Sequence, residues 1–373
     1  MDSTETSSKR KLQSNVYHKV DIVVIGAGQA GLSAAYHLKK KRITPGQGFV
    51  VLDDEFGPGG AWQHRWDSLT LNRVNGINDL PGMEFDQATN AEKEEVQANV
   101  AVPHYYGKYE NAFELPIIRP VRVHEVTERS GRFVIKTNGP QFSSRGIINA
   151  TGTWKTPSCP KYPGWEKFKG RQLHTGEYEG AMEFAGRHVI IVGGGISAIQ
   201  MLDEISKVTT TTWVARRPPD FREYKFTPEK GRAAVAIVED RVRKGLPPQS
   251  VVSVTGLPVT PAVRAMMERG VLVRKPMFDE ITENGVQWNN GESLRADVIF
   301  WNIGFRPSLD HLEALNLKNE WGGIKMTGRL ATQVEKDPRI HLIGYGPSSS
   351  TIGANRAGGA AARALVTHLG LDL

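Results

Sequence analysis

The chain of 373 residues contains a single cysteine, Cys159. One thiol cannot close an internal disulfide, and without a Cys-x-x-Cys pair there is neither a dithiol to relay electrons nor a thiolate pair to hold zinc. This removes a disulfide or thioredoxin reductase working through a redox-active cysteine pair, and no metal is expected. Also missing is any run of about 18 apolar residues of the kind that spans a bilayer. The opening "MDSTETSSKRKLQSN" has no apolar core of the signal-peptide type. A cytoplasmic protein with no membrane span and a disordered tail over residues 1–18 is the expectation. Charge of one sign is not concentrated either. The net charge of +7 is spread over scattered groups such as Lys39, Lys40, Lys41 and Arg42, which gives no reason to expect a nucleic-acid partner. With 39% hydrophobic and 23% charged residues, the chain can build two domain cores.

What is abundant is glycine, in patterned places. "VDIVVIGAGQAGLSAAYHLKKKRITPGQGFVVLDDE" reads as strand, glycine turn, helix and strand. Its loop Gly26, Ala27, Gly28, Gln29, Ala30, Gly31 fits G-x-G-x-x-G. The first glycine serves a tight turn, the second lets the backbone approach a pyrophosphate, and the third lets the helix pack on the strand. The helix N-terminus then faces the phosphates. Asp53 ends the second strand, 22 residues beyond Gly31, where a carboxylate accepts hydrogen bonds from a ribose diol.

The pattern recurs in "RHVIIVGGGISAIQMLDEISKVTTTTWVARRPP". Gly193, Gly194, Gly195, Ile196, Ser197 and Ala198 form G-x-G-x-x-A after a buried strand. Here the second strand runs into Arg216 and Arg217 instead of an acid, which suits a 2′-phosphate. One acid-tipped and one arginine-tipped dinucleotide fold imply two cofactors that exchange electrons, FAD at the first and NADPH at the second.

Between the folds lie a helix over 104–115 and antiparallel strands near 119–127, 132–137 and 141–150. The proline- and glycine-rich "INATGTWKTPSCPKYPG" and, later, "DVIFWNIGFRP" mark two crossovers. After the second, the chain returns to the first fold and ends in a small-residue helix following "SSSTIGANRAGG". The fold class expected is α/β with two Rossmann-like dinucleotide-binding domains. The NADP domain, 154–300, is inserted into a discontinuous FAD domain, 19–153 and 301–373.

Just before the second glycine loop stands "FKGRQLHTGEYE". Phe168, Gly170, His174 and Tyr178 in this stretch match F-x-G-x-x-x-H-x-x-x-(Y/F/W). With "GGAW" at 59–62, "ATG" at 150–152 and "GFRP" at 304–307, the chain resembles the flavin-containing monooxygenases, and within them a compact bacterial subgroup. These are class B single-component flavoproteins that include Baeyer-Villiger and N-hydroxylating members. The fingerprint departs at Glu179, where the family has Lys or Pro.

The resemblance implies FAD and NADPH as cofactors, and O2 and a small molecule as substrates. It also implies oxygen transfer through a C4a-peroxyflavin, with hard chemistry supplied by the cofactor. Tyr178, where Baeyer-Villiger members usually carry tryptophan, favours N- or S-oxygenation over ester formation. The site residues it implies are Gly59, Gly60 and Trp62 beside the flavin ring, Ala150, Thr151 and Gly152 in the first crossover, and Gly304 and Phe305 in the second. The last helix and its approach add Gly344, Ser350, Thr351 and Ile352, whose serines either contact cofactor or cap the helix. Asn72 falls where N-oxygenating members place an asparagine that donates to the flavin peroxide, whereas Asn75 in "VNG" reads as a turn. His174 is either a general base or part of the junction between the domains. Residues 220–270, rich in charge and proline, serve as a pocket mouth, a subunit contact in a homodimer, or a lid. Two further readings remain open: an NADPH oxidase or quinone reductase without productive oxygen transfer, and a redox-sensing binding module.

Overall fold

The computed structural model describes residues 17–74, 76–86, 96–223, 228–249 and 256–372; Asn75 and most of the expected tail lie outside them. The runs Ile22–Ile25, Phe49–Leu52, Gly146–Asn149 and Ile340–Leu342 are buried throughout. Parallel strands covered on both faces lose the alternation of half-exposed ones. They form the centre of a seven-stranded sheet in the order 326–327, 333–334, 340–342, 146–149, 22–25, 49–52, 117–118, of which the last five are parallel.

Ile22 and Val24 face one core with Leu32, Leu38 and Leu365 from the helices Gln29–Lys40 and Thr351–His368. Val23 and Ile25 face the other, with Val126, Phe133, Ile135 and Phe142 of a four-stranded sheet. That smaller sheet corrects two sequence expectations. The stretch 141–150 is not one strand: Gln141–Ser144 closes the antiparallel meander, and Gly146–Asn149 turns into the parallel sheet. Tyr17–Lys19 pairs with Gln141–Ser143, so strand begins inside the expected tail.

The second half repeats the plan. Strands 274–275, 211–214, 189–192, 298–301 and 171–174 make a five-stranded parallel sheet. The helix Ile196–Ile205 covers one face, and a three-stranded antiparallel sheet over 280–295 covers the other. The seven-stranded sheet thus takes its strands from both ends of the chain and the five-stranded sheet from the middle.

Two helices differ from expectation. The helix expected over 104–115 runs Ala98–Ala112 with Pro103 inside it. Proline there forfeits one backbone hydrogen bond, but burial of Tyr105, Tyr106 and Tyr109 outweighs it. The last helix starts at Thr351, within the stretch read as preceding it, because Ser350 caps it by accepting from the Gly353 N–H. In 220–270, the helix Pro228–Arg243 reaches back to the first body: Val242 joins the core of Leu312 and Tyr345, and Arg243 donates to the Gly328 carbonyl at 2.8 Å. Parts of that stretch, 224–227 and 250–255, lie outside the described residues. Among the described residues no helix is long and apolar enough to cross a membrane.

The two bodies meet through the crossovers and an acidic corner. Residues 152–158 and 304–308 run antiparallel, with Ser158 N–H donating to the Gly304 carbonyl (3.0 Å), Arg306 N–H to Thr156 (2.8 Å) and Ser308 N–H to Gly152 (3.0 Å). On the helix Ile196–Ile205, Glu204 accepts from Ser68 Oγ, Tyr178 OH and Arg73, each at 2.7 Å. Asp203 beside it accepts from Arg269 (2.7 Å) and Lys207 (2.8 Å). Replacing Glu204 by alanine strands the hydroxyl of the buried Tyr178 and leaves Arg73 only Asp203, at 3.6 Å, as an acidic partner. Glu204→Ala is expected to lose about 2–3 kcal/mol of stability, read as a lowered urea midpoint; an unchanged midpoint would contradict a coupling role for this corner.

Candidate functional site

A cavity of about 590 Å³ opens at the carboxyl ends of the seven-stranded sheet, walled by the first glycine loop, both crossovers and the start of the last helix. Of the residues expected to hold cofactor, Gly26, Ala27, Gly28, Gln29, Ala30, Asp53, Gly59, Gly60, Trp62, Ala150, Thr151, Gly152, Phe305, Gly344, Ser350 and Thr351 line it. A Cβ on Gly26, whose φ is +101°, would stand 2.6 Å from the Ala150 carbonyl oxygen; one on Gly31 would stand 1.9 Å from that of Gly26. Both positions therefore require glycine, though Gly31 serves helix packing and does not line the cavity. A Cβ on Gly28 would meet nothing within 4 Å, so its bareness leaves room in the cavity rather than relieving a protein contact. The N-terminus of the helix Gln29–Lys40 opens there with no side-chain cap, the arrangement that receives a pyrophosphate. On these grounds the residues fit a flavin dinucleotide.

The polar groups of the wall are largely spoken for. Asp53 Oδ2 accepts two bonds from Arg119, at 2.8 and 3.1 Å, and Arg119 also grips Glu110. Burial raises the Asp53 carboxyl above its ordinary value despite this cation. The acid expected to serve a ribose is thus held from behind by an arginine 66 residues away. Gln29 donates to the Asn78 carbonyl and to Asn355 Oδ1 while accepting from Tyr106, which pins the loop to the last helix. The serines are local: Ser348 and Ser349 bond to loop carbonyls and Ser350 is a cap. His311 donates to Asn149 Oδ1 at 2.7 Å, and burial pushes its pKa down to about 4.

Four expected residues stand elsewhere. Asn72 is exposed and lines neither this cavity nor the next one; its Oδ1 accepts from Thr70 at 2.5 Å. The segment carrying it is drawn toward the acidic corner by Ser68 and Arg73 instead. Ile352 is 55% exposed on the outer side of the last helix. Gly31 and Gly304 are packed or paired at the backbone without reaching the wall. Arg65, Trp154, Lys155 and His311 line the cavity and were not anticipated. The Trp-x-x-Arg spacing after "GG" and the aromatic directly after "ATGT" were the available signals.

His174 lies in a second, more open cavity of about 400 Å³, with Trp154, Lys155 and Phe305 shared between the two. Its Nδ1 accepts from the Gly176 N–H (3.5 Å), so the proton sits on Nε2 and is donated to the Gly304 carbonyl at 2.9 Å. Its own N–H goes to Glu177 Oε2 at 2.7 Å. Burial lowers its pKa and keeps it neutral. Tyr178 is buried against Phe184, Phe300 and Trp66 and reaches Glu204, while Glu179 is at the surface, with its backbone N–H on Glu183.

The second glycine loop mirrors the first. A Cβ on Gly193 would fall 2.2 Å from the Asn302 carbonyl oxygen of the second crossover, as Gly26 lies against Ala150 in the first. Gly194, Gly195, Ile196 and Ser197 are at least partly exposed, while Ala198 packs inside. Arg216 and Arg217 are exposed, with no acidic partner among the described residues.

The profile of the pyridine nucleotide-disulphide oxidoreductases matches residues 23–245. The solved structure of a flavin-containing monooxygenase from Stenotrophomonas maltophilia is 34% identical, covers 94% of this chain and 99% of its own, and superposes with a TM-score of 0.78. The chain belongs to the pyridine nucleotide-disulphide oxidoreductase family, in its flavin-monooxygenase branch. As a family member it is a flavin-dependent pyridine-nucleotide oxidoreductase, and the family implies FAD and a nicotinamide dinucleotide as its cofactors. An uncharacterized oxidoreductase, CzcO of Bacillus subtilis, is 35% identical over 191 residues, 51% of this chain and 53% of that protein. The matched stretch thus spans about half the length of such curated relatives. Bacillithiol disulfide reductase from Staphylococcus aureus shares the fold, with a TM-score of 0.65 at 19% identity.

The neutral His311 sets a pH dependence. Its folded pKa of about 4 lies below the ordinary 6.5, so the unfolded chain takes up a proton first as pH falls. The stabilisation is complete above about 6.5 and is lost as pH drops toward about 4. At pH 5 this single group accounts for about 2 kcal/mol. Chemical denaturation at pH 7.5 and pH 5 is expected to show a loss smaller by about that amount in His311→Gln than in the parent.

Proposed function

We propose that this protein is an NADPH-dependent FAD monooxygenase that uses O2 to oxygenate a small molecule at nitrogen or sulfur. The observation that carries the reading is the joining of both cavities at the crossovers: Trp154, Lys155 and Phe305 line the dinucleotide cavity on one side and the fingerprint histidine's cavity on the other. Cys159 is exposed and lines neither, which disfavours thiol chemistry despite the fold shared with a disulfide reductase.

FAD, when bound, supplies hydride acceptance and oxygen activation. The chain's own residues bind and shield. The first glycine loop and its helix N-terminus would take the phosphates, and Gly59, Gly60 and Trp62, which line the same cavity, would hold the flavin ring. The aromatic wall of Trp154 and Phe305, stacked at 4.7 Å, excludes water from the reacting face. His174 holds its proton on Nε2 against the Gly304 carbonyl and moves none. The sheet membership supports an NADP domain over 154–300 inserted between the FAD-domain segments 19–153 and 301–373. Tyr178 favours nitrogen or sulfur over Baeyer-Villiger chemistry. Arg216 and Arg217, exposed and with no acidic partner among the described residues, favour NADPH over NADH.

Two outcomes test this. With 18O2 and a neutral thioether such as methyl p-tolyl sulfide, one labelled atom is expected in the sulfoxide per NADPH consumed; NADPH consumption yielding only hydrogen peroxide would make the protein an oxidase. The Arg216→Ala/Arg217→Ala double variant is expected to raise KM for NADPH about tenfold or more, from loss of charge-assisted bonds, with KM for NADH little changed.

A further inference from the structure

Arg65 follows the short helix Gly60–His64 and lines the dinucleotide cavity. Its guanidinium lies 4.0 Å from the Trp154 ring centre and 5.7 Å from that of Trp62. No side chain or carbonyl among the described residues accepts a hydrogen bond from it. Burial pushes its pKa down to about 10 with no acid to oppose the shift, which still leaves it cationic at neutral pH. Three of the four acids lining the cavity are already matched: Asp54 and Glu55 hold Lys155 at 2.7 Å each, Glu55 also holds His64 at 3.0 Å, and Asp53 holds Arg119. Arg65 is half-buried, and a half-buried guanidinium without a counter-ion leaves a charge that a ligand can complete.

The place of Arg65 narrows what that ligand is. Dinucleotide phosphates belong at the glycine loop, where a helix N-terminus awaits them. Arg65 instead stands on Trp154, the ring common to both cavities. Stacking on an indole leaves the edge of the guanidinium free, and that fork matches a carboxylate through two parallel bonds. We propose that Arg65 anchors the carboxylate of the substrate, an organic acid whose apolar body lies along Trp154 and Phe305. This rests on the monooxygenase reading for what happens to the bound acid, but binding can be tested apart from turnover.

Calorimetric titration of the FAD-loaded protein, with NADP+ present, would compare 4-(methylthio)benzoate with its neutral amide. The parent is expected to bind the carboxylate at least tenfold more tightly. Arg65→Gln should bring the carboxylate down to the amide's affinity, and Arg65→Lys should recover part of the difference; retained FAD and an unchanged circular dichroism spectrum certify folding. Equal affinity of the parent for the two probes, including no measurable binding of either, would overturn the proposal. So would an Arg65→Gln variant that keeps the carboxylate preference and loses affinity for NADP+ or FAD instead. Failure of the monooxygenase reading looks different: the carboxylate preference stands, but NADPH is consumed with no oxygenated product.

Discussion

The carbonyl of Gly304 is the point on which the arrangement turns. It accepts the Ser158 N–H of the first crossover at 3.0 Å and the His174 Nε2–H of the fingerprint at 2.9 Å. Two crossovers and the strand Arg171–His174 are thereby tied at one oxygen, where the chain passes between the seven-stranded and five-stranded sheets. Each crossover also presses a carbonyl onto the first glycine of a dinucleotide loop, Ala150 on Gly26 and Asn302 on Gly193. A shift in the knot would be felt at both loops, since packed backbone of this kind cannot deform gradually. The histidine fits this task because a neutral imidazole offers one donor and one acceptor in a fixed plane.

Around the cavity, three of the four lining acids, Asp53, Asp54 and Glu55, are matched by cations of the protein. Arg119 secures Asp53 and Glu110 from behind, and Lys155 secures Asp54 and Glu55. The guanidinium of Arg65 has no such acid against it, and its position on the shared indole makes that informative.

Much of this plan could be read from the residues alone because it is enforced by sterics that leave a mark on identity. Gly26, Gly31 and Gly193 tolerate no Cβ, and fully apolar runs such as "IVVI" announce buried parallel strands. The fingerprint was legible as a spacing, but the bond it serves was not, since Gly304 is 130 residues from His174. For the same reason Arg119 was missed as the partner of Asp53. Asn72 was placed at the flavin by likeness of position, whereas Ser68 and Arg73 on either side of it are drawn to Glu204 on the second body. The serines before the last helix satisfy their own loop, a local competition that composition does not reveal.

The claim that His174 is a neutral tie between the crossovers, and not a proton carrier, is open to direct measurement by nitrogen-15 NMR of histidine-labelled protein, with His174→Asn to assign the signal. The account predicts an Nε2–H tautomer for His174 that persists from pH 8 down through the ordinary histidine pKa of 6.5. A signal that titrates near that ordinary value, with both ring nitrogens protonated below it, would contradict it.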